Sequence, residues 1–180
     1  MKFFRITFLV LALFCMPLFS LVFTPIPLQG ILKSIYAPAL FGVYSKDFGR
    51  LYCQLYGVAT PSKNFQSDIC EINPKTLKAM HHFAMNYTQN KIFSEQIYFL
   101  SYQNGWCFLQ NGGNLFNEQI IKDGYGVVQY FDLTQEEVIT KLETLESVAR
   151  NKRKGLWKEW AKEMECIKNT LREIAKEKQK

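Results

Sequence analysis

Few residues of this chain have the types and spacing that chemistry requires. The two histidines, His81 and His82, are adjacent, and neighbouring positions of a helix point about 100° apart, so the pair cannot share a metal ion on one helix face. Neither has a histidine or an acidic residue four positions away. We therefore expect surface or core histidines and not metal ligands.

Motifs for nucleophilic catalysis and phosphate binding are also missing from the sequence. It has no Gly-x-Ser-x-Gly segment, no phosphate-binding glycine loop and no Cys-His pattern. The cysteines beyond the N-terminal segment are Cys53, Cys70, Cys107 and Cys166, and none is spaced as a metal-binding pair. An even number suggests disulfides in an oxidising compartment, and buried free thiols are the alternative.

The elements that would position a site are predicted to be short strands and capping helices. Aromatic and β-branched runs separated by turn signals predict the strands, and Asn73-Pro74 and the capping box of Thr134 and Glu137 predict two helix starts. The predicted elements are a hairpin over 41–58, a helix from 74, strands over 91–102 and 106–109, a short helix over 115–122, a strand over 125–131 and a helix from 134. This order predicts a mainly β, α+β fold, a five-stranded OB-type barrel with capping helices.

Three stretches resemble the staphylococcal-nuclease-like, or thermonuclease, family. Leu55-Tyr-Gly-Val-Ala-Thr-Pro-Ser62 resembles the family segment Arg-Leu-x-Gly-Ile-Asp-Thr-Pro-Glu when Gln54 is placed under its arginine. Residues 102–128 follow the second family signature without a gap, and residues 149–157 resemble the helix and Gly-Leu-Trp that close the family's domain. The resemblance covers residues 36–160 and implies the OB barrel of that family.

The family's chemistry is metal-assisted phosphodiester hydrolysis. Two aspartates and a backbone carbonyl bind calcium, a glutamate activates water, and two arginines stabilise the charge that grows on phosphorus. At the matched positions this chain has Leu40, Gln54, Ala59, Ser62 and Asn104. Because a hard cation needs anionic oxygens and the transition state needs fixed cations, the resemblance implies a lost calcium site, no cofactor and no nuclease chemistry. The nearest acid, at position 47, reaches the metal position only through a shift that breaks the hairpin alignment.

The same positions define a candidate ligand face on the barrel. It consists of Gln54, Tyr56, Ser62 and Asn104. Aromatic side chains on an OB barrel can stack bases, but ordinary barrel packing is favoured because the cationic component is missing. The resemblance also places Cys53 and Cys107 on neighbouring strands of an OB sheet, which implies that they can form a disulfide.

The net charge of +6 is concentrated at one end of the chain. Residues 150–180 hold eleven Lys/Arg against five Asp/Glu, whereas residues 24–149 hold nine against eleven. A groove that follows phosphates needs a basic lining, so nucleic acid is an unlikely partner. The basic tail carries an apolar stripe at helical spacing, which predicts a helix that packs on the barrel or on a protein partner; a coiled-coil arm and a lipid-binding helix are the alternatives.

The N-terminal segment has the pattern of a membrane anchor. Lys2 and Arg5 precede an apolar run from Ile6 to Phe23 that is long enough to cross the hydrocarbon core. Positive residues before the run predict a cytoplasmic N-terminus and export of the rest. No small-x-small cleavage site follows closely, so we expect an uncleaved signal anchor in the inner membrane, with a cleaved signal peptide and secretion as the alternative.

These observations divide the chain into four expected parts. They are an anchor or signal peptide over 1–23, a linker over 24–34, the barrel over 35–157 and a basic amphipathic helical tail over 158–180. The expected function is a non-catalytic, membrane-anchored periplasmic module that binds a protein or another ligand. The alternative is a secreted or membrane-bound thermonuclease-like phosphodiesterase with a rearranged active site.

Overall fold

The computed structural model describes residues 25–130 and 136–178. In chain order the elements are β1 (Ile26–Ala37), β2 (Leu40–Ser45), β3 (Gly49–Leu55), β4 (Val58–Ala59), α1 (Pro74–Gln89), β5 (Ile97–Gln103), β6 (Trp106–Asn111), β7 (Asn114–Leu115), α2 (Phe116–Lys122), β8 (Val127–Val128), α3 (Glu136–Asn151), a 3₁₀ helix (Gly155–Trp157) and α4 (Ala161–Lys178).

Five strands close into a barrel. They are paired in the order β3-β2-β1-β5-β6, and a pairing between β3 and β6 completes the circle. The closing contact is parallel and joins only Gln54 with Trp106 and Leu55 with Cys107. The predicted five-stranded OB-type barrel with capping helices is therefore confirmed.

Side chains at alternate positions of the strands point inward and fill the inside of the barrel. Leu28 and Leu32 of β1 and Phe41 and Val43 of β2 are buried, whereas the residues between them vary from buried to exposed. Burying apolar side chains at every second position is what a strand of period two allows when one face meets a core. Phe116, on the short helix α2, closes this core and lies edge-on to Phe41 with ring centroids 6.2 Å apart.

The predicted linker over 24–34 is wrong, because β1 starts at Ile26 and is the central strand of the sheet. It pairs with β2 on one side and with β5 on the other. Pro25 and Pro27 suggested a break in structure, but Pro27 lies only one residue into the strand, where a missing N–H is tolerated. Leu28, Gly30 and Leu32 then alternate as buried residues.

The predicted amphipathic helix at the end of the chain is present as α4, and of the two packings expected for it the structure shows the one on the chain itself. The expected boundary at residue 158 therefore does not separate a tail from the domain. Met164 and Ile167 are buried in a second core beside Leu77 and Met80 of α1 and Trp157 of the 3₁₀ helix. The apolar stripe of α4 therefore packs mainly on the chain itself, and an exposed apolar side chain remains near its end at Ile174.

Several predicted elements differ from the structure only at their ends. The strand expected over 91–102 begins at Ile97, because Ile92 donates its N–H to the carbonyl of Thr88 and continues the turn that ends α1. The last strand is limited to Val127–Val128. The helix start at Asn73-Pro74 is confirmed, with the Asn73 side chain accepting a hydrogen bond from the N–H of Lys75 at 2.8 Å.

Two sequence predictions concern residues outside the described ranges. These are the N-terminal segment, residues 1–24, and the capping threonine at position 134. In residues 25–130 and 136–178, no helix combines the length and apolar character that crossing a membrane requires. The anchor therefore stays a prediction.

Candidate functional site

Strand closure brings three of the family's site positions together at one rim of the barrel. Gln54, near the end of β3, has Leu40 of β2 as its register partner on one side and Trp106 of β6 on the other. Its N–H donates to the carbonyl of Gly105 at 2.8 Å. Leu40, Gln54 and the Asn104-Gly105 turn are therefore neighbours, and we call this group the barrel rim.

The turn of the rim explains why an asparagine suits position 104. Asn104 and Gly105 are the two residues between β5 and β6, and both have positive φ, 48° and 88°. A two-residue hairpin loop with both residues at positive φ favours Asn-Gly, because Asn tolerates this conformation and Gly has no Cβ to clash. A side chain without charge thus stands at the position that the sequence resemblance matches to the family's second arginine.

Tyr56 does not belong to the candidate ligand face, because the structure buries it. Its side chain is 2% exposed, and its ring centroid lies 5.3 Å from that of Phe108 and 6.5 Å from that of Trp106. The residue packs beneath the closing contact of the barrel. Its carbonyl accepts a hydrogen bond from Asn117 in the polar network described next.

A buried asparagine holds the closing contact together. Asn117 of α2 donates to the carbonyls of Tyr56 at 3.0 Å and Cys107 at 3.1 Å, and it accepts from the N–H of Leu109 at 3.0 Å. One side chain therefore satisfies three backbone groups on both sides of the narrow β3–β6 pairing. Buried backbone groups need such partners, so this asparagine positions the rim.

The other two matched positions lie on a separate segment. Ala59 belongs to β4 and pairs with Val127 of β8, and the exposed Ser62 follows in the loop, where its hydroxyl accepts from the N–H of Asn64 at 3.2 Å. The loop is attached to α1 by His81, whose Nδ1 lies 2.9 Å from the carbonyl oxygen of Pro61. Strand pairing thus brings Leu40, Gln54 and Asn104 together, and no described contact ties Ser62 to them.

Acidic groups do not gather near the rim. Asp47 lies in the turn between β2 and β3, at the opposite end of β2 from Leu40. In the part of the chain that the structure describes, no three His, Cys, Asp or Glu side chains stand close enough to hold a metal ion.

Two disulfides cross-link the domain, and one of them lies beside the barrel rim. Cys53 and Cys107 are bonded, with their Cα atoms 5.5 Å apart, so the bond joins β3 to β6 next to the closing contact. This is the pairing that the family resemblance implied. The second disulfide joins Cys70 to Cys166 and attaches α4 to the loop before α1.

Comparison with known families agrees with this geometry. A family model described as staphylococcal nuclease homologue matches residues 53–159, which is more than half of the chain. The chain belongs to this family. The matched range includes Gln54, Ala59, Ser62 and Asn104 and begins after Leu40. No curated protein shows a significant sequence match to the chain.

This staphylococcal nuclease homologue also contains a buried ion pair that sequence reasoning missed. Lys168 of α4 lies 3.0 Å from Glu146 of α3, with side-chain exposures of 9% and 3%. The other carboxylate oxygen of Glu146 accepts from the N–H of Val128 at 2.7 Å. A usable signal was present, because each residue interrupts an apolar helical stripe, between Leu142 and Ala149 in one helix and beside Ile167 in the other.

Two tyrosines have raised pKa values for a common physical reason. Burial, with the hydrogen bond from its hydroxyl to Glu143 at 2.6 Å, raises the pKa of Tyr130 to about 12, although nearby Arg172 opposes the shift. Burial, with the hydrogen bond to Asp123 at 2.7 Å, raises the pKa of Tyr87 well above its ordinary value. Both hydroxyls therefore stay protonated donors near neutral pH, which suits structural roles and gives no general base.

Proposed function

We propose that this staphylococcal nuclease homologue is a non-catalytic, membrane-anchored extracytoplasmic protein that uses its barrel to bind a protein or another ligand. The observation that carries the proposal is the chemistry of the barrel rim. Leu40, Gln54 and Asn104 occupy neighbouring positions there and offer one apolar group and two neutral amides.

Neutral amides suit binding better than phosphodiester cleavage. The transition state of phosphoryl transfer is stabilised by a metal ion and by fixed cations aimed at the developing charge. Gln54 and Asn104 supply hydrogen-bond donors and acceptors without charge. Such groups fit peptide amides, hydroxyls or other uncharged polar ligands.

A rearranged catalytic site receives little support from the described residues. Asp47 is separated from Leu40 by the whole of β2, a distance of about 17 Å at the usual rise per residue of a strand. A carboxylate that far away does not complete a metal site with groups at the rim.

Membrane anchoring and export are part of the proposal and rest on the sequence pattern of Lys2, Arg5 and the apolar run Ile6–Phe23. Alkaline phosphatase fused to the C-terminus is expected to be active, and the protein is expected to stay with membranes after a carbonate wash. Fusion within the chain is unsuitable, because α4 belongs to the second core. An inactive fusion on a protein recovered from the cytosol would refute this part.

The enzymatic part is tested by nuclease assays on purified residues 25–180, a fragment that keeps β1 whole. The unmodified fragment is expected not to cleave DNA or RNA in calcium. A restored variant carries substitutions at all five matched positions: Leu40→Asp, Gln54→Arg, Ala59→Asp, Ser62→Glu and Asn104→Arg. A four-substitution variant without Leu40→Asp is the matched control, because it lacks one metal ligand.

The outcomes separate the two functions. Calcium-dependent cleavage by the unmodified fragment, abolished by chelation and persistent through further purification, would overturn the proposal. Activity in the restored variant alone would support it, since single members of such constellations are commonly worth about a hundredfold or more. The new arginine at position 104 must adopt positive φ, at a cost of roughly 1–2 kcal/mol, so folding of each variant is checked by its urea midpoint.

A further inference from the structure

One face of the barrel is free of charged side chains. Buried and outward positions alternate on the paired strands β1 and β5, with Leu28, Leu32, Tyr98 and Leu100 buried. The outward positions along the pairing are Pro27, Gln29 and Ile31 of β1 and Ile97, Phe99 and Ser101 of β5. We call these six residues the β1–β5 face.

The β1–β5 face exposes large apolar side chains to solvent. Ile97 is 63% exposed and Phe99 is 54% exposed. Register pairing places Phe99 beside Gln29 and Ile97 beside Ile31. Single exposed apolar residues are ordinary, but a contiguous group without charge indicates an interaction surface.

Charged residues lie at the borders of this face. Lys33 and Glu95 form an ion pair of 2.6 Å at its far end, about 23 Å along β1 from Ile26 at the usual rise of a strand. Lys46 and Asp47, in the β2–β3 turn, form the side of a groove that Phe99 also lines. The β1–β5 face is therefore an uncharged strip, and the charged residues at its border are Lys33, Glu95, Lys46 and Asp47.

The chain reaches this face directly from the apolar N-terminal run. The run ends at Phe23 and β1 begins at Ile26. Three Cα steps of 3.80 Å each separate the two residues, so their Cα atoms are at most about 11 Å apart. If the run crosses a membrane, the beginning of the β1–β5 face lies in or next to the headgroup region, which is about 5–8 Å thick on each side of the hydrocarbon core.

We propose that the β1–β5 face lies against the lipid surface of the membrane that holds the N-terminal run, with Ile97 and Phe99 in the interface. This inference rests on the proposed membrane anchoring. Exposed apolar side chains gain free energy by leaving water. Lipid is favoured over a protein partner because the short connection holds the face at the bilayer whether or not a partner is present.

The test uses the full chain in its native membrane with a photoreactive phenylalanine derivative at position 97 or 99. The matched control position is Tyr52, which is 64% exposed on the outer side of β3. Irradiated protein is analysed by mass spectrometry for phospholipid adducts, and a carbonate wash of the same membranes reports anchoring independently. We expect a several-fold higher yield of lipid adducts at 97 and 99 than at 52.

Each outcome decides the inference. Equal adduct yields at 52 and 99, or protein adducts in place of lipid adducts at 97 and 99, in a chain that resists the wash would overturn the lipid surface and leave the anchor standing. Lipid adducts confined to 97 and 99 in a chain that the wash releases would support the surface and overturn the anchor. Release without such adducts would overturn both. Phe99→Glu, which changes an outward side chain, should lower the adduct yield at 97, whereas Tyr52→Glu should leave it unchanged.

Discussion

The buried pair of Glu146 and Lys168 gives the sharpest prediction about how this domain is held together. Lys168→Met leaves the Glu146 carboxylate with the N–H of Val128 as its remaining described hydrogen-bond donor. Removing one partner of a buried ion pair costs about 3–5 kcal/mol, because the other charge stays buried without compensation. We expect about 3 kcal/mol here, at the low end, since the Val128 bond remains.

The reverse substitution should cost somewhat less. Glu146→Gln keeps an acceptor oxygen for Val128 but faces the Lys168 ammonium with neutral or donor atoms. Glu165, 4.0 Å from that ammonium and 36% exposed, offsets part of the loss, so we expect about 2 kcal/mol. The double variant removes both charges and should lose only about 1 kcal/mol, for one unsatisfied amide.

Urea unfolding of residues 25–180, with both disulfides intact, measures these differences. Trp157 is 1% exposed and packs in the same core as Met164 and Ile167, so tryptophan fluorescence, to which Trp106 and Trp160 also contribute, responds to the docking of α4. Lys176→Met is the matched control on the same helix, because Lys176 pairs with Glu173 in solvent and such pairs are worth less than about 1 kcal/mol.

Two results would refute the reasoning. One is a loss for Lys168→Met no larger than that for Lys176→Met. The other is additivity, in which the double variant loses as much as the two single variants together. The expected coupling between Glu146 and Lys168 is of the order of 2–4 kcal/mol, well above the error of additive behaviour at distant sites.

Three further predictions concern the barrel closure and its flank. Replacing Cys53 and Cys107 by serine opens a loop of sequence separation 54 and should lower the free energy of unfolding by about 4 kcal/mol. A urea midpoint unchanged from that of the parent protein would contradict this prediction. Asn117→Ala removes three hydrogen bonds to buried backbone groups, of which the Cys107 carbonyl keeps the N–H of Tyr56, and should cost about 3 kcal/mol. Asn117→Asp keeps the acceptor for Leu109 but sets a buried carboxylate against the carbonyls of Tyr56 and Cys107, so by thermal melting it should cost at least as much. The pKa of Tyr130 is raised from 10.0 to about 12 in the folded protein, so the folded state holds this proton more tightly than the unfolded state. The stability that this group contributes is therefore complete below pH 10 and falls as the pH rises towards 12. Tyr130→Phe should flatten that alkaline decline in urea midpoints measured against pH, and an unaltered decline would contradict the assignment.

Local patterns in the sequence predicted the parts of the fold that local forces decide. The helix start at Asn73-Pro74 was predictable, because an asparagine cap and a proline in the first turn act within a few residues. The barrel itself was predictable from the order of strands and helices and from the segment around Gln54 that resembles the family. The residue types at the matched positions also need no coordinates, since Ala59 and Ser62, which the resemblance matches to acids, carry no charge in any fold.

Tertiary structure decided the features that depend on distant partners. Two prolines made the start of β1 resemble a linker, and only pairing with β5, more than sixty residues later, makes Ile26 the first residue of a central strand. The docking of α4 depends in the same way on a disulfide between residues 96 positions apart, Cys70 and Cys166. In the sequence Lys168 is one of several charges in a basic tail. Only the fold shows that it forms an ion pair with Glu146 of α3.

The same distinction between sequence and tertiary structure applies to the candidate site. The sequence by itself determined which charges the rim lacks, because residue identity does not change on folding, whereas the pairing of the four cysteines depends on which strands and helices the fold brings together. Only the closed barrel decided that Leu40, Gln54 and Asn104 meet at one rim while Tyr56 packs beneath it. A two-residue parallel contact and one buried asparagine bring these positions together, and both form between segments about fifty to sixty positions apart in the chain, which local sequence patterns do not encode.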